Sequence, residues 1–172
     1  MAFKIHIGMR KIKSILAVIV SFVIWQLLRC VLPTLEMHPT FAYVYSIIEM
    51  RESVQKTNDF GKLRIMATLI GLIIGLAFVT ASFYLTPKMT SELLQATIEL
   101  VFVLLAALFS LCVAEIFGCK DFCGAAAIIT VICIVSRHQE DIYFYAIMRV
   151  VQTLIGVISA VIINLCIRSK KA

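Results

Sequence analysis

The stretch RIMATLIGLIIGLAFVTASFYLTP, residues 64–87, decides the class of fold, because after Arg64 it runs to Pro87 without a single Asp, Glu, Lys or Arg. A helix needs about 20 such residues to cross about 30 Å of hydrocarbon. Working outward, residues 14–28, 100–114, 122–136 and 150–167 are likewise uncharged, and 37–48 is a weaker run that carries His38 and Pro39. The charges gather in clusters between these runs and are not spread as over a solvated surface. With 62% apolar and 15% charged residues in 172 and a mean hydropathy of +1.01, the chain carries more apolar surface than a soluble core hides. The expected fold is an all-α integral membrane protein with six transmembrane helices. It is read as one membrane domain, 1–172, with spans near 12–32, 38–50, 63–85, 94–117, 121–136 and 142–167 and no soluble domain.

The net charge of +6 serves orientation, since cytoplasmic loops collect Lys and Arg. Six spans with both termini cytoplasmic put Lys4, Arg10, Lys11 and Lys13 inside, with Arg51, Lys56, Lys62 and Arg64 in the second loop, Lys120 in the fourth, and Arg168, Lys170 and Lys171 in the tail. This is the layout of a multi-pass protein of the plasma membrane. The basic start followed by an apolar run also describes a signal peptide, but no small-residue cleavage site follows, so the segment is read as an uncleaved first span. Thr86 and Pro87 offer a cap and a first-turn proline for the fourth helix. A polar loop at 137–141 leads to Tyr143, Phe144 and Tyr145, which suit an interfacial belt.

The chain matches itself. Residues 64–75 read RIMATLIGLIIG and residues 149–160 read RVVQTLIGVISA, so Arg, Thr, Leu, Ile and Gly recur at an offset of 85, from 64 to 149. That is close to half the length and points to a duplication of three helices. Three is odd, so the halves would insert with opposite orientation, the inverted-repeat plan of many transporters. At about 100° per residue Arg64, Thr68, Gly71 and Gly75 share one helix face, and so do Arg149, Thr153, Gly156 and Ala160. The glycines and alanine allow close helix packing, and Asn164 adds a group able to bond across helices.

The arginines ask for more. Arg149 lies well inside the apolar stretch that begins at Ile142, where a lipid-facing guanidinium costs at least about 3 kcal/mol. It is expected to meet either a substrate anion or a carboxylate, Glu99 or Glu115. Arg64 is nearer its helix start, within reach of the interface by snorkelling. Glu99 and Glu115 sit sixteen residues apart on one span and so cannot pair with each other. Glu115 lies beside Lys120 near the inner surface, whereas Glu99 is deeper and is a candidate for pairing or proton coupling. Of the six cysteines, most fall in apolar runs as small hydrophobes. Cys119 and Cys123 with the distant His138 lack the tighter paired spacing of structural zinc sites, so neither metal nor cofactor is expected.

These residues resemble the membrane domain of the aromatic acid exporter family, also called the fusaric acid resistance or FUSC-like family, to which plant aluminium-activated malate transporters are related. The likeness lies in Ser53 and the polar stretch after it, in Gly61, Arg64, Thr68 and Gly71, and in Arg149, Thr153, Gly156 and Asn164. The resemblance implies six transmembrane helices, a homodimer, and movement of organic anions such as aromatic carboxylates along a path lined by basic residues. Carried over, Arg149 and Arg64 become candidate anion contacts, with Thr153 and Thr68 beside them. Many members carry a soluble helical domain after the membrane block; with none expected here, what that domain contributes is either absent or supplied by a separate soluble partner.

The leading expectation is thus a transporter or channel for organic anions, in contact with membrane lipids. The alternative is a small membrane scaffold whose arginines are structural ion-pair partners. An enzyme is not expected, since no nucleophile stands with a base and no phosphate-binding glycine loop occurs. Nor is nucleic acid a partner, because the basic clusters are short and juxtamembrane.

Overall fold

The computed structural model describes residues 9–32, 38–85, 92–136 and 142–167. Among them there is no strand. The helices are α1 (Met9–Val31), α2 (Thr40–Ile48), α3 (Val54–Leu85), α4 (Glu92–Ile116), α5 (Cys123–Val135), preceded by a 3-10 turn at Lys120–Phe122, and α6 (Ile142–Cys166). Each of the six expected segments thus contains a helix, but their lengths differ sharply. Four helices, Met9–Val31, Val54–Tyr84, Leu94–Ile116 and Tyr143–Cys166, are long and apolar enough to cross a membrane. The 9 residues of α2 and 13 of α5 rise only about 14 Å and about 20 Å, short of the hydrocarbon thickness.

α3 also starts earlier than the span near 63–85 suggests, because the polar stretch after Ser53 is helical. The Ser53 Oγ accepts from the Lys56 backbone N–H at 3.2 Å, an N-cap bond. Thr57 donates its hydroxyl to the Ser53 carbonyl at 3.0 Å. The expected helix start at Thr86 and Pro87, the polar loop at 137–141 and the basic tail beyond 167 lie outside the described residues.

The chain gathers into two compact units, Met1–Lys62 with Val151–Ala172, and Leu63–Val150. The first holds α1, α2, the start of α3 and most of α6. The second holds most of α3, α4, α5 and the start of α6. Each unit therefore combines the first two helices of one half of the chain with most of the third helix of the other half.

In the first unit, α1 buries Lys13, Ala17, Ser21 and Trp25, a four-residue spacing that makes one face. Its large apolar side chains Ile15, Ile19, Phe22 and Leu27 are exposed. Trp25 aside, small and polar residues lie inside and large hydrophobes outside, the reverse of a water-soluble helix, which suits a lipid solvent. α4 in the second unit exposes Leu100, Leu104 and Leu108 in the same four-residue row. Ala17, Met50, Ala160 and Ile163 form the core of the first unit. Val79, Ala106, Ile129, Cys133, Ile134 and Ala146 form that of the second.

The glycines set the helix contacts. A Cβ on Gly71 of α3 would lie 2.3 Å from the Ala126 carbonyl oxygen of α5, and one on Gly75 would lie 2.8 Å from the Cys133 Cβ. The room so left lets the Thr130 hydroxyl reach the Gly71 carbonyl at 3.0 Å. In the first unit, a Cβ on Gly156 of α6 would lie 2.8 Å from the Ala42 carbonyl oxygen and 2.7 Å from the Tyr45 Cβ of α2. Thus Gly71 and Gly156, 85 residues apart, each rest on the backbone of a short helix at an alanine, and those alanines, 42 and 126, are 84 apart.

Candidate functional site

A short helix inside a membrane protein leaves its first N–H groups without intrahelical partners. Pro39, the N-cap of α2, supplies no side-chain cap. α6 does so instead. The Gln152 Oε1 accepts from the Phe41 N–H at 3.3 Å, and its Nε2 donates to the His38 carbonyl at 3.0 Å. Gln152 is fully buried. Twelve residues further along α6, Asn164 holds the chain past the end of α2. Its Nδ2 donates to the Arg51 carbonyl at 3.1 Å and to the Thr57 Oγ1 at 2.8 Å, while its Oδ1 accepts from the Lys13 Nζ at 2.8 Å. Two amides of one helix thus bracket α2, with Gly156 against its middle. The contacts run in the same order along both helices, so α2 and α6 are parallel. Gly71 beside Ala126 and Gly75 beside Thr130 and Cys133 make α3 and α5 parallel too.

Replacing Gln152 by Met keeps the volume and removes both bonds. We expect a loss of about 1–2 kcal/mol, the usual penalty for a lost cap or an orphaned buried group. Hydrogen–deuterium exchange is the appropriate readout: amides at the start of α2 should exchange faster while those of α4 are unchanged.

The arginines singled out by the repeat are both half-buried and both rest on aromatic rings in the second unit. Arg64 Cζ lies 4.7 Å from the ring centroid of Phe122, the residue that caps the start of α5. Arg149 Cζ lies 4.4 Å from the Tyr145 centroid, and its guanidinium donates to the Tyr145 hydroxyl, one turn toward the start of α6. Cation–π contacts of this kind fix the position of a guanidinium over the ring face. Thr68, fully buried, donates its hydroxyl to the Arg64 carbonyl at 2.8 Å, which leaves oxygen lone pairs as its remaining capacity. Thr153 is buried in the first unit and Thr68 in the second.

Of the two acids, Glu115 is exposed and pairs with Lys120 at 3.7 Å. Glu99 is half-buried on α4. Ala160 packs in the core with Ala17. Cys123 Sγ donates to the Cys119 carbonyl at 3.3 Å, and burial, then the neighbouring Cys123, pushes the Cys119 thiol above its ordinary pKa. Both effects disfavour the thiolate that a metal needs. Among the described residues no three His, Cys, Asp or Glu side chains gather as a metal site.

Sequence reasoning treated Lys13 as a charge that only orients the first span. Instead its side chain is 3% exposed and bonded to Asn164. The signal was present in the spacing: Lys13, Ala17, Ser21 and Trp25 form the inward stripe of α1. Arg51, read only as an orienting charge of the second loop, rests on an aromatic ring, its Cζ 4.4 Å from the Phe60 ring centroid.

Long apolar helices with lipid-facing leucines, small-residue contacts and buried amides define a multi-pass membrane protein. The chain belongs to the aromatic acid exporter family: the model of aromatic acid exporter family member 1 matches residues 5–167, nearly its whole length. That is a family of transporters, not of enzymes. No curated protein and no solved structure matches the chain.

Proposed function

We propose that the protein moves organic anions, aromatic carboxylates among them, across the plasma membrane, with Arg64 and Arg149 as anion contacts. The observation that carries this reading is the recurrence of a half-buried arginine at equivalent positions of the two half-sequences, each laid on an aromatic ring. A guanidinium inside the apolar zone offsets part of the penalty of bringing a carboxylate there. Arg64 is favourably sited, because the start of α5 adds the positive end of a helix dipole to its charge. Thr68 and Thr153 are the accompanying polar side chains, and Glu99 is the candidate for charge pairing or proton coupling.

The same reading takes the fold as six passes in two inverted three-helix repeats, with both termini cytoplasmic and a homodimer as the working unit. Alternating passes require α2 to run with α6 and α3 with α5, and the order of contacts within each unit supports this. Short helices at corresponding positions of two halves mark the binding region in inverted-repeat transporters. α2 and α5 are such a pair.

The test is flux of benzoate and of a dicarboxylate into liposomes holding the full chain, with Arg149→Gln as the comparison and equal insertion checked by quantifying reconstituted protein. We expect the native chain to carry anion and Arg149→Gln to lose about tenfold or more, the worth of one charge-assisted contact. Equal flux in both would remove Arg149 from the path.

A further inference from the structure

At one end of the first unit, Arg10, Arg51, Glu52, Lys56 and Phe60 line a cleft of about 290 Å³. Three cations face one carboxylate there, leaving an excess of two positive charges. The carboxylate does little to offset them: Glu52 approaches Lys56 only at 4.0 Å, with both side chains largely exposed. Among the described residues neither Arg10 nor Arg51 has a carboxylate partner, and the Arg51 Nε–H is buried without an acceptor.

Arg51 is also held in place. Its N–H donates to the Thr57 Oγ1 at 3.2 Å and its carbonyl accepts from Asn164, so its backbone is fixed from both sides. Phe60 supports one face of the guanidinium. Such a group keeps little freedom to lose on meeting a ligand, which favours binding. Arg10 is the second residue of α1, just before the uncharged run 14–28, and this sets the cleft at the depth where an apolar helix gives way to headgroups.

We propose that this cleft binds a phosphate group. Two guanidiniums and an ammonium present planar forks and a point charge that match phosphate oxygens, and the excess of two charges matches a phosphate monoester dianion. The phosphate belongs either to an anionic phospholipid at the membrane surface or to a soluble phosphate-bearing anion. The cleft is lined by neither Arg64 nor Arg149, and binding is read without flux, so its failure leaves the transport reading untouched.

The experiment uses the full chain in nanodiscs. In phosphatidylcholine discs, glycerol 3-phosphate is titrated and the thermal midpoint followed; in a second arm, part of the phosphatidylcholine is replaced by phosphatidic acid, whose headgroup is a phosphate monoester, with no soluble anion present. A rise in the first arm identifies a soluble ligand, and a rise in the second alone identifies a lipid headgroup. In either case Arg10→Gln, at an exposed position where folding is not at stake, should weaken the response about tenfold. Arg51→Gln should do the same, and Arg29→Gln, exposed near the other end of α1, should respond as the native chain does. No rise in either arm, or an Arg10→Gln protein that responds like the native one, overturns the proposal.

Discussion

Gly71→Ala and Gly156→Ala are each expected to destabilise the protein by about 3 kcal/mol or more, at or beyond the upper end of overpacking in a filled core. The new methyl on Gly71 would meet the Ala126 carbonyl oxygen at 2.3 Å and the Ala126 Cα at 2.9 Å. Both are backbone, so no rotamer change relieves the clash and α5 must move off α3. Moving it breaks the bond from the Thr130 hydroxyl to the Gly71 carbonyl, the hydroxyl keeping only the Ala126 carbonyl of its own helix at 3.0 Å. At Gly156 the new methyl meets the Ala42 carbonyl oxygen at 2.8 Å and the Ser46 nitrogen at 3.0 Å, so α2 must lift away from the helix whose Gln152 satisfies its first turn. Gly124→Ala is the control. Nothing lies within 4 Å of a Cβ there, and alanine is the better helix former. Thermal unfolding in detergent, followed by the loss of monodisperse protein, checks all three: two large falls in midpoint and one neutral or slightly stabilised protein. Falls of similar size at all three positions would show that helix-specific contact is not the cause.

How much of this was legible follows from what each constraint leaves in the sequence. A helix long enough to cross a membrane needs about 20 apolar residues in a row, and α1, α3, α4 and α6 are therefore plain in the charge-free runs. α2 is shorter than a full span and leaves a weaker run, with Ala42, Tyr45 and Ser46 buried and Val44, Ile47 and Ile48 exposed. Its first turn is satisfied by Gln152, 111 residues from Phe41, and no local signal records that bond. The offset of 85 identified Gly71 and Gly156 as equivalent small residues, and both are contact points. What the offset does not carry is the partner. That Gly71 of the first half rests on α5 of the second, while Gly156 of the second rests on α2 of the first, is a property of the chain's path. The arginines show the same divide. Their depth in the apolar runs was readable, but their aromatic supports were not, because Phe122 is distant in sequence from Arg64 and Tyr145 was read as part of an interfacial belt.

Lys13 illustrates a deeper ambiguity, and it leads to the other large effect. A lysine ahead of an apolar run reads as an orienting charge, yet this one is 3% exposed and its Nζ is bonded to the Asn164 amide oxygen. Asn164→Leu preserves the volume, so little of its effect arises from a cavity. It removes the acceptor from a buried ammonium and the donor from both the Arg51 carbonyl and the Thr57 hydroxyl. Removing one partner of a buried charge is strongly destabilising, about 3–5 kcal/mol, because the charge stays behind. The route of the damage can be separated by a double-mutant cycle. Lys13→Met takes away the charge at similar length, and in the Asn164→Leu background there is no ammonium left to strand. The double variant is therefore expected to be more stable than the sum of the single effects predicts, by about 1–3 kcal/mol of coupling. Denaturant unfolding in mixed micelles measures all four proteins. If the effects simply add, Asn164 acts through the Arg51 and Thr57 bonds alone, and its part is to anchor the connection between α2 and α3. If they couple, the amide also holds the buried charge, and α1, α3 and α6 are tied together through one side chain.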